Sequence, residues 1–256
     1  MRGAYCPGVE TLRYGTDPDQ VVDLTFPPGA TRPPLVVLLH GGFWRVAYDR
    51  VHLRVVADAL TAEGFAVANV EYRRVGGGGG WPSTFTDVGD AVDAVEVALV
   101  DRADLGSVAY VGHSAGGHLA LWAAARDRLP VGAPGRTGRA PLVRGVVALA
   151  PAADLAAVDR LGLSGGAVRE LLGGGPRAVP ERFASTDPAV LGSPGADTVV
   201  VHGLLDDIVP VEVARSYCAR TGADLVELPG TDHFELVDPA STAWPVVLGA
   251  LRRVVG

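Results

Sequence analysis

The sequence predicts an α/β domain: a mostly parallel sheet of about seven to eight strands flanked by helices, with a small cap insertion. Three observations predict it. Short apolar runs rich in β-branched residues recur along the chain, segments with apolar residues spaced by three and four separate them, and glycine or proline marks most junctions. Strands that alternate with helices pair in parallel, because each helical return brings the next strand back in the same direction. At 256 residues and 48% hydrophobic, the chain can fill one core, and we expect a single domain over residues 1–256.

Taken in order, VVDLTFP (Val21 to Pro27) alternates and stops at proline, the pattern of a strand. PLVVLLHGGFW (Pro34 to Trp44) opens with a continuous apolar run, as a central strand buried on both faces would. Asp49 to Gly64 has helical spacing and ends at glycine. The alternation then repeats: strand Phe65 to Tyr72, helix Thr84 to Ala103, strand Ser107 to Gly112, helix Ala115 to Asp127, strand Val143 to Pro151. From Ala152 to Asp197 the rhythm breaks into two short helical patches, Leu155 to Leu161 and Ala167 to Leu172, and we expect residues 152–197 to form the cap insertion above the sheet. Strand Thr198 to Gly203, helix Val211 to Thr221, strand Asp224 to Gly230 and helix Ala240 to Val254 complete the chain. The five glycines at 76–80 read as a flexible loop, and with no lysine after them they do not form a phosphate cradle.

Composition removes several functions. The chain has no lysine, which excludes Walker A loops, pyridoxal Schiff bases and serine–lysine dyads. Its net charge of -7 and its scattered arginines argue against a nucleic-acid partner, which needs a clustered cationic face. No apolar run reaches bilayer length and the N-terminus lacks the apolar core of a secretory signal, so we expect a cytoplasmic protein with no membrane contact. Cys6 and Cys218 are too few for a disulfide framework and are expected to be reduced thiols. His113 and His118 stand five apart and diverge on a helix, so no metal site is expected, and no cofactor is implied. Nothing in the sequence bears on oligomeric state.

The chemistry is concentrated at VAYVGHSAGGHLALW. Gly112-His113-Ser114-Ala115-Gly116 fits G-x-S-x-G, but so does Gly162-Leu163-Ser164-Gly165-Gly166, and with 34 glycines the pattern is cheap. Context separates the two. A nucleophile elbow needs a strand arriving, a sharp turn, and a helix leaving, so that the hydroxyl projects at the strand's carboxyl end. Ser114 has all three; Ser164 follows a helix-like segment and leads to no long helix.

A serine hydroxyl is a weak nucleophile until a base oriented by a carboxylate activates it. Downstream, HGLLDDIVP offers Asp206 and Asp207 after one strand, and LPGTDHFELV offers His233 after the last; the residues themselves do not choose between the two aspartates. Of the other histidines, His40 and His202 close strands and are expected to bond the turns beneath them, while His52 lies on a helix with no partner suggested. Oxyanion donors are expected from Gly42 and Phe43, in the glycine turn after the buried strand, and from the amide of Ala115. The aromatic residues Phe43, Trp44, Trp81, Phe85 and Phe234 are candidates for an apolar substrate pocket.

With HGGFW, GHSAGG, HGLLDDIVP and DHF in this order, nearly the whole chain resembles the α/β-hydrolase superfamily, in particular the branch of kynurenine formamidases (arylformamidases) and small carboxylesterases. The H-G-G-x-W stretch at His40 to Trp44 and EYRR with GGWPSTFTDV carry the resemblance to that branch. It implies the acid at Asp206 and a serine hydrolase that cleaves a small ester or amide through an acyl-enzyme. Ser114, Asp206 and His233 would be its catalytic triad. The expectation is an N-formylkynurenine formamidase-like enzyme; the alternatives are a short-chain carboxylesterase, a tailoring acyl hydrolase or thioesterase of secondary metabolism, and a non-catalytic binding member of the fold.

Overall fold

Each apolar run becomes a strand in the computed structural model of the protein, which describes residues 8–256. The strands are β1 (Glu10–Arg13), β2 (Val21–Thr25), β3 (Pro34–Leu39), β4 (Ala66–Val70), β5 (Asp104–His113), β6 (Gly145–Leu149), β7 (Asp197–Gly203) and β8 (Asp224–Leu228). They form one sheet in the order β1-β2-β4-β3-β5-β6-β7-β8. β3 to β8 are parallel, while β1 and β2 add an antiparallel edge. β1 was not expected from the sequence. Its ETLR stretch is largely exposed and has no apolar face, so only its pairing with β2 makes it a strand.

The helices are α1 (Arg54–Ala62), α2 (Ser83–Leu99), α3 (Ala115–Ala124), α4 (Leu155–Arg160), α5 (Ala167–Leu172), α6 (Pro180–Thr186), α7 (Pro188–Leu191), α8 (Val211–Thr221) and α9 (Trp244–Val255). Successive side chains of a strand face opposite sides, so a sheet covered on both faces builds two cores. On β3, Val36 and Leu38 pack with Leu60 of α1 and Leu251 of α9, whereas Leu35, Val37 and Leu39 pack with Val92 of α2 and Leu119 of α3. Each such side chain, fully buried, stabilises the fold by about 1.5–3 kcal/mol.

Residues 152–197 hold α4 to α7, the last two helices not foreseen because they are short and each begins at a proline. The pentaglycine is a built turn: Arg74 O accepts from the Gly77 and Gly79 amides, and a Cβ at Gly79 would lie 2.2 Å from Arg73 O. Flexibility is therefore not what those glycines provide. Cys218 is buried on α8 and its thiol is pushed up to about 12 by burial, while Cys6 lies outside the described residues. Among the described residues no helix is long and apolar enough to cross a membrane.

β3 lies between β4 and β5. The chain therefore leaves β3 toward β4 and later returns on its other side as β5, and such a switch opens a crevice at the carboxyl ends of these strands.

Candidate active site

Ser114 stands in that crevice, between β5 and α3, with φ 56° and ψ -118°. This left-handed backbone costs a non-glycine residue on the order of 1–3 kcal/mol. It is held by Ser114 N–H donating to Leu149 O at 2.8 Å and by Ser114 O accepting from Ala152 N–H at 3.2 Å. The glycines around it are spatial necessities. A Cβ at Gly112 would sit 2.1 Å from Gly116 O, and one at Gly116 would sit 2.0 Å from Leu39 O. Ser164, in the second match to the pattern, is exposed in a 3-10 turn (Leu163–Gly165) with no strand before it.

The two downstream loops are tied together before they reach the serine. Leu205 N–H donates to Thr231 O at 2.9 Å, and Gly203 packs so closely on Thr231 O that a Cβ would lie 2.3 Å from it. Asp232 and Glu235 cap the turn that carries His233: Asp232 Oδ1 accepts from the Phe234 and Glu235 amides, and Glu235 Oε2 accepts from Asp232 N–H. His113, next to Ser114, donates from Nε2 to His233 O at 2.9 Å, and the two rings lie 4.5 Å apart.

His233 Nδ1–H donates to Asp206 Oδ2 at 2.6 Å. Asp207 is exposed, so the structure separates the neighbours that the residues alone left open and of which the resemblance implied Asp206. Asp206 Oδ1 accepts from the Ile208 and Val209 amides at 2.9 and 2.8 Å, and His202 Nε2 lies 3.4 Å from Oδ2. Burial opposes the charge on Asp206, but hydrogen bonds from His202 and His233 hold its carboxyl well below the usual carboxylate range. With Nδ1 committed as donor, His233 Nε2 is left as an acceptor. Ser114 Oγ forms no hydrogen bond among the described residues; Ser114 and His233 line one cavity of about 300 Å³. Long or open contacts of this kind are common before substrate binds.

Gly42 (φ 101°), Phe43 (φ 49°) and Trp44 (φ 58°) form three successive left-handed residues after β3. Gly42 and Phe43 border the same cavity as Ser114. Ala115, at the first position of α3, has an amide with no partner within its helix. Behind this loop, His40 Nδ1 lies 2.9 Å from Gly41 O and Nε2 lies 2.9 Å from Glu71 Oε1, and Tyr72 O–H donates to His40 O at 2.7 Å. Burial works against charge on Glu71, yet hydrogen bonds from His40 and the Arg50 amide keep its carboxyl below the usual range.

The expected pocket residues divide. Phe43 and Phe234 line the cavity. Trp44 and Phe85 do not: both are fully buried, Trp44 donating from Nε1 to His118 Nδ1 at 3.2 Å and Phe85 packing edge-on to Trp122 at 5.1 Å. Trp81 likewise packs against the core beside Phe85, at 5.8 Å. The apolar side of these rings is satisfied by the sheet and α3, and residue type alone does not distinguish an aromatic of the core from one of a pocket. In their place stand Arg45, Tyr48, His52, Ser164 and Ile208. Tyr48 and Phe234 flank His52 edge-on at 5.8 and 6.3 Å. Arg45 donates from Nη1 to Ser164 Oγ at 2.8 Å and from Nε to Glu170 Oε2 at 2.7 Å, joining the loop after β3 to the 152–197 segment. Arg45 follows HGGFW directly and Ile208 follows Asp206 by two, so proximity to a motif was their one visible signal.

The chain is similar in sequence and fold to known proteins. The BD-FAE family matches residues 22–219. The esterase LipC of Mycobacterium tuberculosis (strain ATCC 25618 / H37Rv) is 30% identical over 248 residues, covering 90% of this chain. The chain spans 60% of the length of LipC. Among solved structures, esterase B from Lactobacillus rhamnosis (HN001) is similar with a TM-score of 0.80 at 19% identity, covering 96% of this chain and 84% of its own. A truncated carbohydrate esterase from gut microbiota gives 0.78 at 19% identity over 100% and 98% of the two chains. The thermophilic esterase Est2 of Thermogutta terrifontis gives 0.73 at 20% identity over 96% and 91%. At these identities the structures establish the α/β-hydrolase fold, and the matched residues establish the rest: the chain belongs to the BD-FAE family.

Proposed function

We propose that the protein is a serine hydrolase of carboxylesterase type, cleaving a small ester through an acyl-enzyme. One observation carries this reading: a serine on a strained strand-to-helix corner shares a cavity with an imidazole whose Nδ1–H is held at 2.6 Å by a buried aspartate. Ser114 attacks the ester carbonyl while His233 Nε2 takes its proton. Asp206 fixes the tautomer and stabilises the imidazolium that forms. The amides of Gly42, Phe43 and Ala115 receive the charge that develops on the carbonyl oxygen, each donor lowering the barrier by roughly 3–4 kcal/mol. His233 then protonates the departing alcohol, and water, deprotonated by His233, releases the acid.

The similar proteins LipC, esterase B and Est2 are esterases, which supports ester over formamide. Trp44, one of the residues that carried the formamidase resemblance, is buried behind the loop and borders no part of the cavity, so it gives no preference for an aryl formamide. The cavity of about 300 Å³, with Phe43, Tyr48 and Phe234 on its wall, suits a short acyl group joined to a small apolar alcohol.

The test compares hydrolysis of p-nitrophenyl acetate and butyrate with that of N-formylkynurenine, by the parent protein and by Ser114→Ala. Ester turnover that disappears in the variant, with no formamide turnover, is expected. Turnover retained by Ser114→Ala would refute the mechanism, and faster cleavage of the formamide would replace the substrate class.

A further inference from the structure

His118 lies one turn after Ser114 on the same helix and is fully buried. Its two nitrogens have different partners: Trp44 Nε1–H donates to Nδ1 at 3.2 Å, and Nε2 lies 2.9 Å from Thr186 O. An indole can only donate and a carbonyl can only accept, so these partners require one tautomer, neutral with the proton on Nε2. Burial also favours the neutral ring, pushing His118 down to about 4. The indole of Trp44 stands perpendicular to the imidazole, 5.2 Å away.

These contacts join three parts of the molecule. Trp44 ends the left-handed stretch that begins at Gly42. Backbone strain of this kind persists only where the surroundings over-determine it. The backbone of Trp44 is held by Val75 N–H donating to Trp44 O at 2.8 Å, and its side chain by His118. α3 carries Ala115 at its start and His118 on its next turn. Thr186, which accepts from His118, ends α6 in the 152–197 segment. One imidazole therefore spans from the helix bearing one expected oxyanion donor to the loop bearing the others.

Resting on the esterase reading above, we infer that His118 is a positioning residue. Through Trp44 it sets the separation between the Phe43 amide and the Ala115 amide, so that both reach the same oxyanion. It touches no substrate. The charge that such donors meet exists only in the transition state, so loosening the link lowers kcat and leaves ground-state binding nearly unchanged.

The experiment uses Trp44→Phe, which keeps the ring and removes its N–H, with His118→Phe and the double variant. Each is assayed on p-nitrophenyl acetate, with kcat normalised to active sites counted by a fluorophosphonate and folding checked by thermal unfolding. We expect each single variant to lower kcat on the order of 10- to 100-fold with KM within about twofold, as small displacements from reactive geometry do. The double variant is expected to be no slower than the slower single one, because both substitutions break the same bond. Three results overturn the inference: Trp44→Phe with kcat within about twofold of the parent, losses that multiply in the double variant, or a deficit found entirely in the fraction of titratable sites. Ser114→Ala, run alongside, keeps the two readings apart. If it retains turnover, the esterase mechanism fails. If it is inactive while Trp44→Phe is unaffected, only the role of His118 fails.

Discussion

Replacing Asp206 by asparagine changes one atom, and its effect can be worked from the hydrogen bonds. In the parent, Oδ1 accepts from the amides of Ile208 and Val209 while Oδ2 accepts from His233 Nδ1–H at 2.6 Å. Two backbone donors 2.8 and 2.9 Å away require an oxygen at the Oδ1 position, so an asparagine must place its NH2 group toward His233. That group donates. His233 Nδ1 would then have to accept, moving the ring proton to Nε2, the nitrogen needed to take the proton from Ser114. The substitution thus preserves shape and inverts the tautomer, for which a fall in kcat of about 10³- to 10⁴-fold is expected. At about 1.4 kcal/mol per factor of ten, this is roughly 4–5.5 kcal/mol of lost transition-state stabilisation. Asp207→Asn, at an exposed position, should stay within about twofold of the parent. Initial rates on p-nitrophenyl acetate near pH 7.5, with circular dichroism to confirm folding, decide the matter. A folded Asp206→Asn protein with more than about a tenth of the parent kcat would falsify the argument.

Two further outcomes follow from the packing. Gly116→Ala should destabilise the fold by about 3 kcal/mol or more, because its Cβ would lie 2.0 Å from Leu39 O in a crossing of two backbones; a melting temperature lowered by less than about 3 °C would contradict that crossing. Stability should also fall as the pH drops from 7 toward 5. Burial lowers His113 to about 3 and His118 to about 4, so below about pH 6.5 the unfolded chain binds protons at these sites that the folded protein refuses. Asp187, raised by burial to about 6, binds a proton first in the folded state and offsets part of the effect. The remainder of about one proton corresponds to a loss of about 1.4 kcal/mol per pH unit in urea unfolding, and a flat or rising profile across this range would exclude neutral buried imidazoles.

Much of the molecule was legible in one dimension. The alternation of strands and helices, the strand–turn–helix corner at Ser114, and the loops after two later strands that carry Asp206 and His233 all came from local periodicity and chain order. These features are local: a strand buried on both faces shows a continuous apolar run, and a strand–turn–helix corner is contiguous in sequence. β1 escaped because an exposed edge strand owes its form to a partner, in this case β2.

The sequence by itself determined the order of the elements apart from β1, α6 and α7, and it named Ser114, the Asp206–Asp207 pair and His233 as candidates for the proposed chemistry. The tertiary structure placed Asp206 rather than the exposed Asp207 against His233, where the residues alone left the two open and only the resemblance implied Asp206; it buried Trp44 and Phe85 in the core with Trp81 packed partly buried against it, and it set His118 between Trp44 and Thr186. The physical reason is that hydrophobic pattern reports how deeply a residue is buried but not what it is buried against. That is set by the register of distant strands and by the loops that meet at their carboxyl ends.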